Sequence, residues 1–312
     1  MSSDSGTDHF HHVRDAVGFD LPGGFADSHG HGTLDYLLPN IMGFQVTKFM
    51  LLQVVAAVFV FLVFRGLASR VRNGEPARGR FWNFWEAIAL FLRDEVVRPT
   101  IGDDHHDHGD EYDFHGEGTH GHGTHGHGAH APTGGHPADI YLPFIWSCFF
   151  YILICNLLGA IPWLGSATGN LNVTGALAVS AFAATVIYGF RAMGPSGFFH
   201  NMMPDTGVPG AFGKVLTYGI FGIEVFGFFI KHGVLAVRLF ANIMGGHTVI
   251  AVILGFIAQA AHSGFGLWSL VTFGSIVGQV FIGCLELFVA FLQAYVFAFL
   301  ATIFIAGAVH EH

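Results

Sequence analysis

Six polar side chains stand where the chain is otherwise apolar, and their types suit the movement of protons through a membrane. Arg238 lies in Gly233-Val-Leu-Ala-Val-Arg238-Leu-Phe-Ala-Asn242-Ile-Met-Gly-Gly-His247, inside a hydrophobic run from about Val215 to Ala261, with no acidic residue within thirteen positions on either side. An arginine at mid-bilayer costs roughly 2.5–3.5 kcal/mol on insertion scales, so it faces protein or water and carries a function by default. The bland alternative is an arginine snorkelling to an interface. Lys231 already supplies a charge at the near end, and apolar sequence continues for more than twenty residues beyond Arg238, too far to reach across. Glu224, His247 and Glu286 add groups that take up and release protons, and imidazole changes charge in the physiological range. Asn242 and Gln293 can hold a guanidinium or a water molecule without carrying charge.

Their spacing is helical. Glu224, Lys231 and Arg238 are seven apart, as are Gln279, Glu286 and Gln293. A seven-residue step drifts only about 20° around a helix, so each trio forms one polar stripe. On an ideal wheel His247 falls about 180° from Arg238. Either Gly245-Gly246 bends the helix there, or His247 lines a channel behind the Arg238 face; a third reading is an inward histidine satisfied by a local carbonyl. For Glu224 the structural alternative is an ion pair with Lys231 or Lys214. Pairing Arg238 with Gln293, or His247 with Glu286, folds the chain about Phe265-Gly266, inside His262-Ser-Gly-Phe-Gly266, the best turn signal in the region. The polar residues therefore sit at matching levels of an antiparallel hairpin.

The elements that must position them follow from composition. With 52% hydrophobic, 15% aromatic and 11% charged residues in 312, this is a membrane protein. The formal net charge of −9 is not one surface, because most carboxylates fall in the first 35 residues and in a 103–139 insert. No basic patch points to nucleic acid, and no Gly-x-x-x-x-Gly-Lys-Ser/Thr fingerprint points to nucleotide chemistry. Cys148, Cys155 and Cys284 sit in apolar runs and read as small packing residues. The start of the chain is acidic and His-bearing, unlike a usual signal peptide.

In chain order, residues 1–46 read as a polar, mostly irregular tail. Residues 47–102 hold a first span around Phe49–Phe64 and an amphipathic helix. Arg65, Arg70, Arg72, Arg78 and Arg80 follow the span and set that side as cytoplasmic. Phe81, Phe84, Trp85, Ile88, Phe91 and Leu92 recur at helical spacing, with Glu86, Arg93 and Asp94 off that face, as in a helix lying in the interface. The Gly/His/Asp insert 103–139 cannot bury a core and is expected to be disordered, with ten histidines of loose Zn²⁺, Ni²⁺ or Cu²⁺ affinity. Residues 140–312 form the core: spans at Leu142–Leu164 and Val173–Phe190, then apolar segments at about 215–260 and 267–308. The loop 167–174 has no Lys or Arg and is expected outside, and the loop 191–214 returns inside. Each long segment would exceed ~60 Å as one helix, so it is either two upright spans or one long, tilted helix. The continuous stripes favour the second.

Arg238-Leu-Phe-Ala-Asn242 followed by Gly245-Gly-His247 resembles the signature of subunit a of F-type ATP synthases, and Asn156-Leu-Leu-Gly-Ala-Ile-Pro162 and Asn172-Val-Thr-Gly-Ala-Leu-Ala178 are similar to further segments of that family. The resemblance covers about 45–308, except the insert. It implies an all-α integral membrane protein with upright transmembrane helices, one interfacial amphipathic helix and a long tilted C-terminal helical hairpin. It also implies a stator in the Fo sector that offers two proton half-channels to a rotating c ring, separated by Arg238. His247 and Glu286 would serve the outer half-channel, with acid and imidazole exchanged between helices relative to some members, and Glu224 the inner. Asn242 and Gln293 would complete the polar path. The implied partners are the c-subunit ring, b-type peripheral stalk subunits and the lipid bilayer, with no nucleic acid, no cofactor, no metal, and no substrate other than H⁺ or Na⁺. The ATP-forming site would lie in other subunits. The implied home is the bacterial plasma (inner) membrane, multi-pass, N-terminus outside and C-terminus cytoplasmic. A divalent metal transporter with a His-rich loop is the alternative; it predicts His/Asp clusters within the spans.

Overall fold

In hydrocarbon every backbone N–H and C=O must be satisfied within the protein, which leaves an apolar segment of this length the helix as its solution. A computed structural model describes residues 47–71, 79–102, 136–161, 165–203, 211–261 and 264–309, and the backbone of 40–41 and 44–45. The remainder of the N-terminal tail, Arg72, Arg78, the insert from 103 to 135, Pro162 and His262 lie outside the described residues, and with them the expectations of an irregular tail and of metal affinity. Five described helices are long and apolar enough to cross a membrane.

A two-residue antiparallel pair, β1 (Asn40–Ile41) with β2 (Phe44–Gln45), precedes α1 (Lys48–Val71). Helix α2 (Arg80–Phe91) runs through a π-helical stretch, Leu92–Val97, into α3 (Arg98–Gly102). The aromatic face expected of α2 divides between two surroundings. Trp85, Ala89, Leu92 and Val96 are buried, whereas Phe81, Phe84 and Phe91 are exposed. Trp85 packs near Phe59 of α1 and Phe150 of α4 (Leu142–Gly159), and the Trp146 indole N–H donates to the Ala89 carbonyl at 3.0 Å. An amphipathic pattern marks apolar sides without separating the one that meets protein from the one that meets lipid.

The chain re-enters after the insert at a 3₁₀ turn, Pro137–Ile140. Composition assigned residues 136–139 to the disordered insert; they are in fact ordered. Arg98 grips Asp139 with two parallel bonds, Nε to Oδ1 at 3.0 Å and Nη2 to Oδ2 at 2.9 Å. The His136 ring lies 2.5 Å from where a Cβ on Gly102 would be, so the two ends of the insert touch. The hydrogen bond from Arg98 holds the Asp139 carboxyl below its usual range.

α4 ends at Gly159, and a second 3₁₀ turn (Ala167–Gly169) leads to α5 (Leu171–Asn201). The Asn170 side-chain oxygen caps α5 by accepting from the Asn172 N–H at 2.9 Å. The third span was expected to stop at Phe190; helical structure instead continues to a break at Gly194, whose φ of 76° and ψ of 164° turn the chain before Pro195. The short helix beyond folds back, setting Phe198 5.1 Å from Phe190.

The two long C-terminal segments are single helices, α6 (Ala211–Ala260) and α7 (Phe265–Val309), about 75 and 67 Å long at 1.5 Å per residue. Four short spans are thereby ruled out. The core lies where α4 meets the C-terminal half of α7: Ile145, Phe149, Ile152 and Leu153 pack with Ala294, Phe297, Ala298, Ala301 and Ile305. Alanines at three- and four-residue steps on α7 let the helices approach closely, which drives packing where lipid offers no hydrophobic penalty. Cys148 and Cys155 are buried in this core as expected, but Cys284 is exposed.

Candidate functional site

An antiparallel hairpin brings residues together in mirror order, and close contacts fix its register. Glu286 Oε1 lies 2.8 Å from where a Cβ on Gly246 would be, and Ile253 Cδ1 lies 3.9 Å from the same point on Gly278. Both pairs place the mirror at Phe265–Gly266, the register expected from the polar stripes. Position 246 has no room for a side chain without displacing the carboxylate.

One cavity of about 690 Å³ gathers His247 of α6 with Gln279, Cys284 and Glu286 of α7, and is walled by Gly159, Ala160, Ile161 and Gly165 at the end of α4. The imidazole Nε2 and the Gln279 amide nitrogen are buried without a hydrogen-bond partner among the described residues. The α6 backbone has no non-helical residue at Gly245-Gly246, so the half-turn between Arg238 and His247 is real. His247 lies behind the Arg238 face, in the cavity. The helix does not bend at Gly245-Gly246 to bring His247 round to the Arg238 face.

A second cavity, about 540 Å³, opens on the other side of the Arg238 level. Glu224, Phe228 and Lys231 of α6 line it with Phe198, Asn201 and Met202 of α5 and Ile303, Phe304, Gly307 and Ala308 of α7. Lys231 Nζ stands 3.9 Å from Glu224 Oε1, with both side chains about half exposed (54% and 51%). At that distance the pair is a loose electrostatic contact rather than a hydrogen bond, and exposed pairs of this kind are worth little. The carboxylate stays available to the cavity.

Arg238 lies between the two, about 13 Å along α6 from His247 and about 21 Å from Glu224. It is exposed, and no ion pair or hydrogen bond among the described residues engages its guanidinium. Its neighbours on that face are bare and apolar: Ile230, Val234 and Val237 are 47, 56 and 57% exposed. Asn242, one turn on, is half-buried. Gln293, level with Arg238 by the hairpin mirror, is only 4% exposed, and its amide nitrogen is buried without a partner among the described residues. The structure thus brings His247 and Glu286 into one cavity and sets Glu224 in another. It leaves Arg238 and Gln293 at one height without a bond.

Gln279, read in the sequence only as a member of the α7 polar stripe, lines the cavity of His247 and Glu286. Two further polar features were not named as site residues. His232 is 3% exposed, with Nδ1 2.9 Å from the Phe228 carbonyl and the rings of Phe182, Phe228 and Phe304 around it. Asn156, Ser166 and Thr168 form a buried cluster that no local spacing marks.

A family model described as ATP synthase A chain matches residues 128–306. The chain is 32% identical over 279 residues to ATP synthase subunit a of Myxococcus xanthus, covering 88% of this chain and 78% of that one. It is 31% identical over 313 residues to ATP synthase subunit a of Chloroherpeton thalassium, covering 97% and 77%. Against ATP synthase subunit a of Anaeromyxobacter dehalogenans identity is 33% over 294 residues, and the chain spans 64% of that relative's length.

Proposed function

The chain belongs to the ATP synthase subunit a family, a multi-pass membrane protein by its helices, and we propose that it is the stator of the Fo sector, giving a rotating c ring two separate proton half-channels. The observation that carries this reading is the arrangement along α6: two cavities, one holding Glu224 and one holding His247 and Glu286, with Arg238, unpaired among the described residues, between them on a bare apolar face.

A continuous pore would dissipate a gradient without turning anything. Two half-channels that do not meet oblige the proton to travel on the ring. Arg238 keeps them apart, because a guanidinium retains its protons and cannot relay one. Its fixed charge attracts each arriving ring carboxylate and favours the ionised form, so the proton is released. Lysine substitutes poorly, since a desolvated ammonium gives up its proton more readily. His247 and Glu286, with Gln279 beside them, pass protons between the outer aqueous phase and the ring. Glu224 serves the inner side, and Asn242 and Gln293 hold water near the guanidinium. One charge crossing 100 mV releases about 2.3 kcal/mol, so several protons are needed per ATP, and a multi-site ring supplies that gearing.

The ring, b-type stalk subunits and lipid are the partners in this reading, with H⁺ or Na⁺ as the coupling ion. The chain sits in a bacterial plasma membrane, N-terminus outside and C-terminus cytoplasmic. Residues 1–46 form its tail, 47–102 the first span with the interfacial helix, and 140–312 the channel core. The metal-transport alternative is not favoured by the named relatives. The test is ATP-driven proton pumping in membrane vesicles: Arg238→Ala and Arg238→Lys are expected to abolish it with the complex assembled, and normal pumping refutes the assignment.

A further inference from the structure

We propose that Thr168 is a positioning residue: with Ser166 and Asn156 it forms a hydrogen-bonded latch that holds α7 at the height and rotation presenting Glu286 to the cavity it shares with His247. This rests on the reading of that cavity as a half-channel.

The latch is a directed chain of bonds. The Asn156 Nδ2 donates to the Ala290 carbonyl at 3.3 Å, and that acceptor leaves Asn156 Oδ1 as the oxygen. Thr168 Oγ1 donates to Asn156 Oδ1 at 2.9 Å. With its one proton committed there, Thr168 accepts from the Ser166 hydroxyl at 2.9 Å. Asn156 is 1% exposed, and Ser166 and Thr168 are fully buried. The chain begins in the turn after α4, crosses α4 at Asn156 and ends on the α7 backbone.

Its endpoint is what gives it a role. Ala290 is four residues after Glu286 and three before Gln293, so the carbonyl that Asn156 grips belongs to the turn between them. An intact α7 helix satisfies that carbonyl without help, and a second donor is needed for position rather than for backbone satisfaction. The other end closes the cavity wall. Ser166 Oγ and Cβ lie 2.5 and 2.6 Å from where a Cβ on Gly159 would be, so the turn seats directly on α4, and Gly159 and Gly165 both line the cavity. One buried network therefore sets the wall and the carboxylate opposite it together.

The test uses the complete ATP synthase in membrane vesicles, with assembled complex quantified and ATP-driven proton uptake expressed per complex. Thr168→Val keeps the shape and removes the central hydroxyl; uptake is expected to fall about tenfold, within what a misplacement of about 1 Å can cost. Thr168→Ser restores the bond and is expected to return uptake to within about twofold of wild type. The double variant Asn156→Leu with Thr168→Val also removes the Asn156 oxygen that the single variant orphans, leaving only the Ser166 hydroxyl without its side-chain partner and the latch still broken. Its complexes are expected to accumulate at least as well as those of Thr168→Val while uptake stays low.

Wild-type uptake in Thr168→Val overturns the proposal, as does a double variant that regains uptake along with assembly. Failure of both variants to assemble overturns it as well, by making the cluster a requirement of folding. Should only Thr168→Val fail to assemble, the uptake of the double variant decides. Arg238→Ala in the same vesicles separates the two levels. If it pumps normally the half-channel reading falls, whereas loss there with normal Thr168→Val sinks the latch alone.

Discussion

α4 and α6 are almost equally hydrophobic, yet they meet different surroundings. In the most apolar stretch of α4, 61% of residues are buried within the chain; in that of α6, 6% are. Hydropathy measures what will enter a bilayer and says nothing about what the segment touches there. α4 is surrounded by its own chain, with α7 alanines against it, and its buried polar group, Asn156, is satisfied. α6 turns Ile230, Val234 and Val237 outward beside an arginine that is unpaired among the described residues. The first helix is built to hold the molecule together. The second is built to present a surface, and a lone guanidinium on a lipid-facing surface is costly enough that another protein is the fitting neighbour.

If that division holds, substitutions in the two regions should fail in different ways. The largest effect is expected at Arg238→Ala: proton pumping falls to background while the amount of assembled complex is unchanged, measured by vesicle acidification and by quantifying the extracted enzyme. Loss of assembly instead would move Arg238 to the structural side. Next is Glu286→Gln, expected to lower pumping by roughly ten- to a hundredfold, the scale of losing a positioned proton carrier. Unchanged pumping removes Glu286 from the path. Phe297→Ala, in the buried half, should act oppositely. It costs about 2 kcal/mol, less than the roughly 3–5 of a water-soluble core because in lipid only the packing part is lost. Thermal unfolding of the purified complex should show that shift, with pumping per surviving complex near normal.

The smallest effect belongs to the rim of the buried half. Because Asp139 titrates at a lower pH folded than unfolded, the Arg98–Asp139 pair contributes stability that is complete above about pH 3.9, the free aspartate value, and is lost as pH falls through the folded value. Both side chains are about one-third exposed, so Asp139→Asn should cost no more than about 1 kcal/mol at neutral pH. Faster hydrogen exchange at the Asp139 and Tyr141 amides, whose bonds close the 3₁₀ turn, measures it. No change in their exchange between wild type and variant would mark the pair as ornamental.

The hairpin was the most legible part of the fold, because two seven-residue polar stripes and one turn signal fix its register without knowledge of anything else. The place of His247 was only half legible: the wheel put it opposite Arg238, but whether a cavity lay there depended on Gly159 and Gly165, over eighty residues earlier. The break at Gly194-Pro195 carried a plain turn signal, but the end of the apolar run at Phe190 was read as the end of the helix, which in fact continues to that break. Asp139 was assigned by the company it keeps, although Pro137 marked the start of an ordered turn. The Asn156–Thr168 bond spans a turn and the Asn156–Ala290 bond spans 134 positions, so no local pattern announces either.

The contact between Gly102 and His136, reinforced by the Arg98–Asp139 grip, has a practical corollary. Whatever lies between them leaves and returns at almost one point, and lengthening a closed loop twofold costs only about 0.6 kcal/mol. Residues 103–135 are therefore the natural place to graft a fluorescent reporter, a purification handle or a rigid tether for single-molecule work, with the membrane machinery left as it was.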